Sequence, residues 1–513
     1  MSPAFTSLPC SKVRAVSGPN APYSSAANPG YATFKATYKD RKTMVYVGTN
    51  RGMLHAVDGS LTAGTGRNPG EEVFAYVPGA LYAGANGLKT LGNPDFAHYN
   101  FVDATPAVGD VDFGRTEGGS GTDWRTILVG GLGKGGKAVY ALDITNPAAM
   151  TSEAAVAGKV LWEFSDPDLG YTYGEPAIFK TRKYGWVVVF GSGYNNSDGQ
   201  GYIFIVNPRT GALIKKIGTG AGSVANDAGL AHVQGFLPDR TDGTADSVYA
   251  GDLLGNLWRL DLTDTAGSYP APTMIAELTD SGGSALPVTT RPLVVVHPDT
   301  GRRYVTVGTG RLLAAGDIGS TQGQRFFAII DGNNARFNKA SQLPSGMSFP
   351  IKTANLKELT DLTKKIDLNL NKEIGWYFNL GASSGGTGWR VTSDSTSYLG
   401  TVAFAAMLPS SDSACEPSGS NRIYAIDLGT GQSRLIGASG NTLAYSTKLS
   451  GVVTDLRFYS VNRGETTALG GGDTGTLALV GGGNDGSYGR IDVNVGAATG
   501  LRRLNWREVP LSD

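Results

Sequence analysis

Charged side chains are scarce in this chain, and neither sign predominates. Asp, Glu, Lys and Arg make up 17% of the 513 residues, and 44 basic residues balance 44 acidic ones. Soluble domains usually carry about a quarter of charged residues. Without a net charge, the chain has no long-range electrostatic field to attract nucleic acid or an anionic membrane surface. The composition therefore disfavours nucleic acid as a partner.

Long apolar runs are absent as well. No run approaches the roughly 20 apolar residues that a membrane-spanning helix needs, so the sequence predicts no membrane-spanning segment. The first ten residues contain neither the basic stretch nor the apolar stretch of a secretory signal. No export signal is therefore visible in the chain as given.

Cysteine and histidine are too few to suggest a metal or redox centre. The two cysteines, Cys10 and Cys415, are far apart in sequence and belong to no C-x-x-C pair. Their positions leave open whether they form a disulfide or remain two free thiols. The four histidines show no zinc-binding spacing. We interpret them as loop or core residues.

Glycine, in contrast, is abundant, with 74 residues, and it marks the turns of a phrase that recurs along the chain. The clearest copy, residues 45–58, reads Val-Tyr-Val-Gly-Thr-Asn-Arg-Gly-Met-Leu-His-Ala-Val-Asp. A Gly/Asn turn separates two β-rich runs, and the second run closes on Ala-x-Asp, which is typical of a β-hairpin. The further copies are residues 127–143, 187–207, 248–261, 304–331, 402–427 and, more weakly, 477–492.

These repeats predict an all-β protein, a β-propeller of seven modified blades with loop insertions. One hairpin cannot bury an apolar face alone, so neighbouring blades must cover it. Apolar runs such as residues 186–190 predict inner strands buried on both faces, and the alternating run 257–261 predicts an outer strand. We expect residues 1–30 to form a lead-in rich in Pro, Ser, Ala and Asn, and residues 31–513 to form the propeller domain.

Several stretches resemble the C-terminal domain of the PilC/PilY family. Specific aromatic and glycine positions recur there in order, and the resemblance extends from about Pro22 to Trp506. The stretches that carry it are residues 22–38, 72–82, 124–133, 161–164, 168–174 and 248–262. In that family the propeller follows a variable N-terminal region. The chain is therefore expected to correspond to the C-terminal domain alone.

The resemblance implies a non-enzymatic protein associated with the tip of type IV pili. It would support pilus biogenesis, take part in the control of extension and retraction, and contribute to adhesion. Its partners would be minor pilins in the pilus tip complex and, for adhesion, a host-cell surface receptor. Its location would be the cell surface, at the pilus tip or the outer membrane, after export through a signal that this chain lacks.

The resemblance also implies a calcium loop that governs retraction. The family pattern D-x-[DN]-x-D-G-x-x-D supplies oxygen ligands at alternate positions, and its glycine permits a sharp turn. Residues 238–246 of this chain read Pro-Asp-Arg-Thr-Asp-Gly-Thr-Ala-Asp. Alignment on the Asp-Gly pair and the final Asp places Asp242, the Thr244 carbonyl and Asp246 on ligand positions of the family.

The first two ligand positions of this loop depart from the family pattern. They fall on Pro238 and Arg240, whose side chains cannot coordinate calcium. Asp239 and the Thr241 hydroxyl are candidate replacements for the missing ligands. Alternatively, Arg240 takes the place of the ion by pairing with a carboxylate of the loop, or the segment is only a polar β-turn.

Two other classes of function compete with this interpretation. Residues 206–211 and 425–431 resemble the repeat that ties blades together in quinoprotein dehydrogenases. A quinone site in those enzymes needs two adjacent cysteines, which this chain lacks, and no G-x-S-x-G motif is present. A lectin-like propeller would use exposed loop aromatics, although such tyrosines more often pack between blades. The candidates are Tyr171, Tyr173, Tyr194 and Tyr488.

Overall fold

The structure is a computed structural model, and it divides the chain into two compact units. One comprises Met1–Leu278 with Pro287–Pro292, and the other comprises Thr279–Leu286 with Leu293–Asp513. The described residues are 11–62, 68–82, 87–94, 99–333, 336–337, 340–381, 387–410, 419–449, 452–460, 476–483 and 488–494.

The first unit contains four sheets in its described residues, and in the first three of them all strands are neighbours in chain order. The first sheet consists of β1 (Arg14–Val16), β2 (Met44–Thr49), β3 (Met53–Asp58) and β4 (Glu72–Tyr76). The second consists of β5 (Ala107–Asp112), β6 (Trp124–Gly131), β7 (Val139–Asp143) and β8 (Val160–Phe164). The third consists of β9 (Ala177–Thr181), β10 (Gly185–Gly191), β11 (Gln200–Val206) and β12 (Leu213–Gly222). The fourth includes β13 (Val233–Phe236), β14 (Ser247–Gly251), β15 (Asn256–Asp261) and β16 (Thr273–Glu277).

The second unit contains three sheets in its described residues. Its strands are β17 (Leu293–Val296), β18 (Arg303–Gly308), β19 (Arg325–Ile330), β20 (Ile351–Lys352), β21 (Lys357–Glu358), β22 (Gly375–Asn379), β23 (Thr396–Tyr398), β24 (Thr401–Pro409), β25 (Gly419–Asp427), β26 (Leu435–Ile436), β27 (Thr442–Leu443), β28 (Val453–Ser460), β29 (Thr476–Gly483) and β30 (Tyr488–Asn494). The sheet orders are β17-β18-β19-β22-β21, β23-β24-β25 and β27-β26-β30-β29-β28. Strand β21 pairs in parallel with β22.

Helices are short in the described residues. Helix α1 is Tyr31–Tyr38, and α2 is Glu153–Ala157. The 3-10 turns are Gly79–Leu81, Leu88–Gly92, Phe113–Arg115, Gly133–Gly135, Pro147–Ala149, Ala315–Asp317, Ala340–Gln342 and Thr353–Asn355. In the described part of the chain, no helix is long and apolar enough to cross a membrane.

The sequence repeat corresponds to one pair of adjacent antiparallel strands in each sheet. In the first copy, Val47 pairs with His55 across β2 and β3, and the other copies fall on β6–β7, β10–β11, β14–β15, β18–β19, β24–β25 and β29–β30. Seven copies thus account for the seven sheets of the described residues. The repeat pattern correctly predicted both the hairpins and their number.

The expected burial of the strands is confirmed for β10 and wrong for β15. The apolar stretch of β10 is buried throughout, and Trp186 is 0% exposed. Strand β15, which was expected to alternate on an outer edge, lies between β14 and β16, and its first five residues are buried. Trp258 and Leu260 pack in an apolar core that also contains Phe179. Both faces of β15, the third strand of its sheet, are therefore covered. Exposed residues recur instead along β12, the last strand of the third sheet.

The lead-in is part of the first unit. Strand β1 pairs with β2, with Arg14 opposite Tyr46, so the expected boundary at residue 30 separates a sheet from its first strand. Farther along, Tyr23 packs edge-on against Trp186, with ring centroids 5.3 Å apart. Tyr31 of α1 donates from its hydroxyl to Asp110 Oδ2 at 2.7 Å.

Tryptophan indoles form hydrogen bonds between neighbouring sheets at residues 206–211 and 425–431, the two segments that resemble a docking repeat. Trp162 of β8 donates from Nε1 to the Pro208 carbonyl at 2.9 Å. The turn that carries Pro208 ends at Gly211, whose φ is +69° and where a Cβ would lie 2.6 Å from the indole Cγ of Trp162. In the second unit, Trp376 donates in the same way to the Leu428 carbonyl at 2.9 Å. These turns are therefore devices for packing sheet on sheet.

Candidate functional site

The predicted calcium loop is the connection between β13 and β14. Strand pairing ends at Phe236 opposite Ser247, and the backbone N–H of Asp246 donates to the Phe236 carbonyl at 3.0 Å. Within the loop, the Gly243 N–H donates to the Asp239 carbonyl at 3.1 Å. Gly243 has a φ of +78°, a conformation that L side chains rarely adopt.

Two of the predicted ligands bond to each other. Asp239 Oδ1 accepts from both the backbone N–H and the hydroxyl of Thr241, each at 2.7 Å. These hydrogen bonds to the Thr241 side chain and backbone lower the pKa of Asp239 below its ordinary value. The arrangement is an Asx turn, and it directs one oxygen of Asp239 into its own turn.

A third predicted ligand pairs with a lysine from another sheet. Lys180 Nζ of β9 lies 2.6 Å from Asp242 Oδ1. The same ammonium donates to Asn28 Oδ1 at 3.2 Å and to the Ala27 carbonyl at 3.3 Å. The Lys180 side chain is 14% exposed, whereas Asp242 is 40% exposed. Three oxygens from two distant segments thus surround one partly buried ammonium group.

The lead-in holds the tip of this loop. Asn28, which is 1% exposed, donates from Nδ2 to the carbonyls of Thr241 and Asp242 at 3.1 and 3.0 Å. The backbone N–H of Ser24 donates to the Thr241 carbonyl at 2.9 Å. We call the set formed by Ser24, Asn28, Lys180, Thr241 and Asp242 the lead-in clasp.

Thr244 and Asp246 lie at the base of the loop, where backbone pairing fixes their positions. Thr244 forms isolated bridges with Asp239 and Lys180. The Asp246 carbonyl accepts from the Leu262 N–H at 3.0 Å. Arg240, which was one alternative for the cation of the loop, is exposed, and Asp242 pairs with Lys180.

The loop in this arrangement does not fit a calcium ion. Calcium takes six to eight oxygen ligands, whereas one oxygen each of Asp239 and Asp242 already has a protein partner in the loop. Among the described residues, no group of three or more His, Cys, Asp or Glu side chains is arranged to hold a metal ion. Calcium binding by this loop stays a prediction from the sequence.

Local sequence reasoning found the loop but missed the residues that contact it. Lys180 and Asn28 lie 62 and 214 positions before Asp242 in the chain, so no spacing pattern links them to it. The available signal was weak: a single cation in the apolar strand β9 and an asparagine just before Pro29.

A cavity of about 210 Å³ in the first unit also has a charged group on its wall. Glu175 lies on its wall and pairs with Arg14, and its second oxygen lies 3.6 Å from Arg291 Nη1. Arg14 Nε also donates to the Pro106 carbonyl at 3.0 Å. Two guanidinium groups therefore neutralise the single carboxylate of the described lining, which offers no carboxylate pair for acid–base chemistry.

The loop tyrosines considered for a lectin-like surface fall into two groups. Tyr173 packs edge-on against Tyr194 with centroids 5.1 Å apart, and Lys137 Nζ lies 5.4 Å from the ring centroid of Tyr171. Tyr488 is 87% exposed. The first three tyrosines therefore pack within the fold.

The sequence left open whether Cys10 and Cys415 form a disulfide. Both residues lie outside the described part of the chain.

Comparison with known proteins identifies a consistent set of relatives. Residues 14–358 match the family model described as the PilY1 beta-propeller domain. The chain is 29% identical over 528 aligned residues to the type IV pilus biogenesis factor PilY1 of Pseudomonas aeruginosa, a match that covers 93% of this chain and 42% of the relative. It is 30% identical over 419 residues to a PilY1 homolog of Xylella fastidiosa, covering 76% of this chain and 26% of the relative. The chain thus spans less than half the length of these curated relatives.

The fold is also that of a solved structure. The crystal structure of the Pseudomonas aeruginosa PilY1 C-terminal domain superposes with a TM-score of 0.69 at 24% identity, covering 94% of this chain and 99% of that one. Together with the seven sheets, this likeness confirms the predicted all-β propeller class.

Proposed function

Because the chain belongs to the family of PilY1 β-propeller domains, we propose that it is a pilus-associated domain that supports type IV pilus biogenesis. The observation that carries the proposal is the family match over residues 14–358, supported by alignment with a pilus biogenesis factor over 93% of the chain. The relatives that have this pilus role are more than twice as long as this chain.

We further propose that the domain acts by binding and not by catalysis. Its hairpins form the sheets and its indole contacts join neighbouring sheets, and Arg14 and Arg291 neutralise Glu175 at the cavity. The quinoprotein-like alternative is disfavoured because the cysteines are not adjacent. A lectin-like role is disfavoured because three of its four candidate tyrosines pack within the fold.

The proposed partners are minor pilins in the pilus tip complex, and the proposed location is the cell surface, at the pilus tip or the outer membrane. Adhesion to a host-cell receptor is proposed as a contribution of the whole protein. The balanced charge supports short-range, shape-dependent docking, since it gives no long-range electrostatic attraction.

Control of extension and retraction by calcium rests on the family resemblance alone, and the protein partners of Asp239 and Asp242 weigh against it. Asp239, Thr241, Asp242, Thr244 and Asp246 would supply the oxygens. Calorimetric titration of the chelator-treated chain, beside an Asp242→Ala/Asp246→Ala variant, tests it directly. Saturable binding that the variant loses supports calcium control, and the absence of binding heat in both proteins removes it.

The biogenesis role is tested by deleting the gene in the bacterium that encodes it. We expect the deletion strain to lose surface pili and twitching motility. The intact gene should restore both, whereas a gene that lacks the codons for residues 31–513 should restore neither. Co-purification of minor pilins with the intact protein supplies the matching biochemical readout. Normal piliation and motility in the deletion strain would overturn the proposal.

A further inference from the structure

We propose that the ammonium group of Lys180 is the built-in cation of the loop between β13 and β14, and that it holds the loop and the lead-in together without a metal ion. The ammonium contacts Asp242 Oδ1 at 2.6 Å, Asn28 Oδ1 at 3.2 Å and the Ala27 carbonyl at 3.3 Å. All three partners are oxygens, and Lys has three donor hydrogens to satisfy them.

The backbone of Lys180 is fixed to the loop that its side chain neutralises. Its N–H donates to the Gly243 carbonyl at 2.9 Å, and its carbonyl accepts from the Ala245 N–H at 2.8 Å. The strand therefore aligns the ammonium with the loop tip. A partly buried ammonium is favourable only where oxygens replace its water, and the loop and the lead-in provide those oxygens.

Asn28 joins the two halves of the clasp. Its Nδ2 is engaged by the carbonyls of Thr241 and Asp242, so its Oδ1 is left to face Lys180 at 3.2 Å. The side-chain amide of Asn28 thus donates to the backbone of the loop and accepts from the Lys180 ammonium group. Loss of the ammonium would leave Asn28 Oδ1 without this donor in a residue that is 1% exposed.

A divalent ion would have to displace this arrangement. Calcium requires converging oxygens at about 2.3–2.6 Å, and the Thr241 and Asp242 carbonyls are already directed at the lead-in. Placing an ion beside Asp242 would bring two positive charges next to the Lys180 ammonium. We therefore expect the loop to have the same conformation with and without calcium.

Hydrogen–deuterium exchange on the full 513-residue chain tests the proposal, with amides read out over residues 22–30 and 239–245. In the wild type with chelator, both segments should be protected, and millimolar calcium should not alter their exchange. Lys180→Met should accelerate exchange in both segments on the order of tenfold, since hydrogen bonds to a charged group are lost.

Lys364→Met is the matched control, because Lys364 pairs with Asp361 at 3.1 Å through a side chain that is 78% exposed. It should leave both segments unchanged. If Lys180→Met does not fold, Asp242→Asn provides the same comparison with the lysine in place. Protection that appears in the wild type only with calcium, or exchange in Lys180→Met or Asp242→Asn equal to that of the wild type, would overturn the proposal.

Discussion

The aspartate that closes a repeat forms a specific turn in the structure. The side chains of Asp58, Asp143 and Asp261 each accept a hydrogen bond from the backbone N–H two residues later, at 2.9, 2.9 and 2.8 Å. Such Asx turns end a strand and reverse the chain without leaving a buried N–H unpaired. The aspartate at the end of a repeat was therefore a predictable structural signal, because the whole contact spans three residues.

Asp427, which closes the copy at residues 402–427, is buried and pairs with a cationic side chain. Burial alone would raise its pKa, but hydrogen bonds from His297, Arg434 and Thr430, together with the Arg434 charge, hold the pKa well below its usual range. Arg434 Nη2 lies 2.7 Å from Asp427 Oδ2. A carboxylate whose folded pKa is lowered stabilises the protein above its unfolded pKa, near 4, and loses that contribution as the pH falls.

We predict that Asp427→Asn lowers the free energy of unfolding by roughly 2 kcal/mol at pH 6 and that this deficit shrinks between pH 5 and pH 3. Thermal unfolding of both proteins across that range measures it. Asp361→Asn is the control: hydrogen bonds from Thr363 and Lys364 lower the Asp361 pKa to about 2, but the site is exposed, so solvent should screen its loss. A deficit for Asp427→Asn that does not vary with pH would contradict the prediction.

A second residue-scale prediction separates the indole hydrogen bond from indole packing. Replacing Trp162 with 3-benzothienylalanine keeps the ring shape and removes the N–H that donates to Pro208. We expect a loss of about 1 kcal/mol in stability. The same replacement at Trp186, whose buried Nε1 has no acceptor among the described residues, should be neutral or stabilising. Equal losses measured by denaturant titration at the two positions would refute this assignment.

At the scale of elements, the sequence was informative where contacts are local and uninformative where they are distant. Hairpins pair residues that are close in sequence, so the repeat itself predicts them. Helix α1 was also recognisable in the sequence, because Tyr31, Phe34 and Tyr38 share one helical face. Its eight residues were nevertheless assigned to the propeller without a predicted helix. The candidate site was found only in part, since Asn28 and Lys180 reach the loop from other elements.

The lead-in is predicted to be a stabilising element of the first unit. Removal of residues 1–30 deletes β1, exposes the edge of β2 and removes Asn28 from the loop. We expect a lower melting temperature and a tendency to aggregate through the free strand edge. A protein that lacks only residues 1–10 keeps β1 and Asn28 and serves as the reference. Calorimetry and light scattering on the two truncated proteins provide the test, and equal behaviour would show that β1 is dispensable.

At the scale of the whole molecule, the balance of 44 basic and 44 acidic residues predicts how the protein behaves towards polyanions. We expect no binding to duplex DNA at 50 mM or 200 mM salt, because no net charge is available to release counterions. Fluorescence anisotropy with a labelled duplex measures this. A steep loss of binding between the two salt concentrations would reveal a basic surface that the composition conceals.

The lead-in clasp also sets an order of events during synthesis. Asn28 bonds to Asp242, 214 positions later in the chain, and a ribosome adding about 5–20 residues per second needs roughly 10–40 s to make that interval. During that interval, Ser24 and Asn28 have no loop to contact. Closure of the clasp therefore shows that β13 and β14 have been made and paired, so residues 24–28 become fixed only after a segment more than 200 positions later has been synthesised.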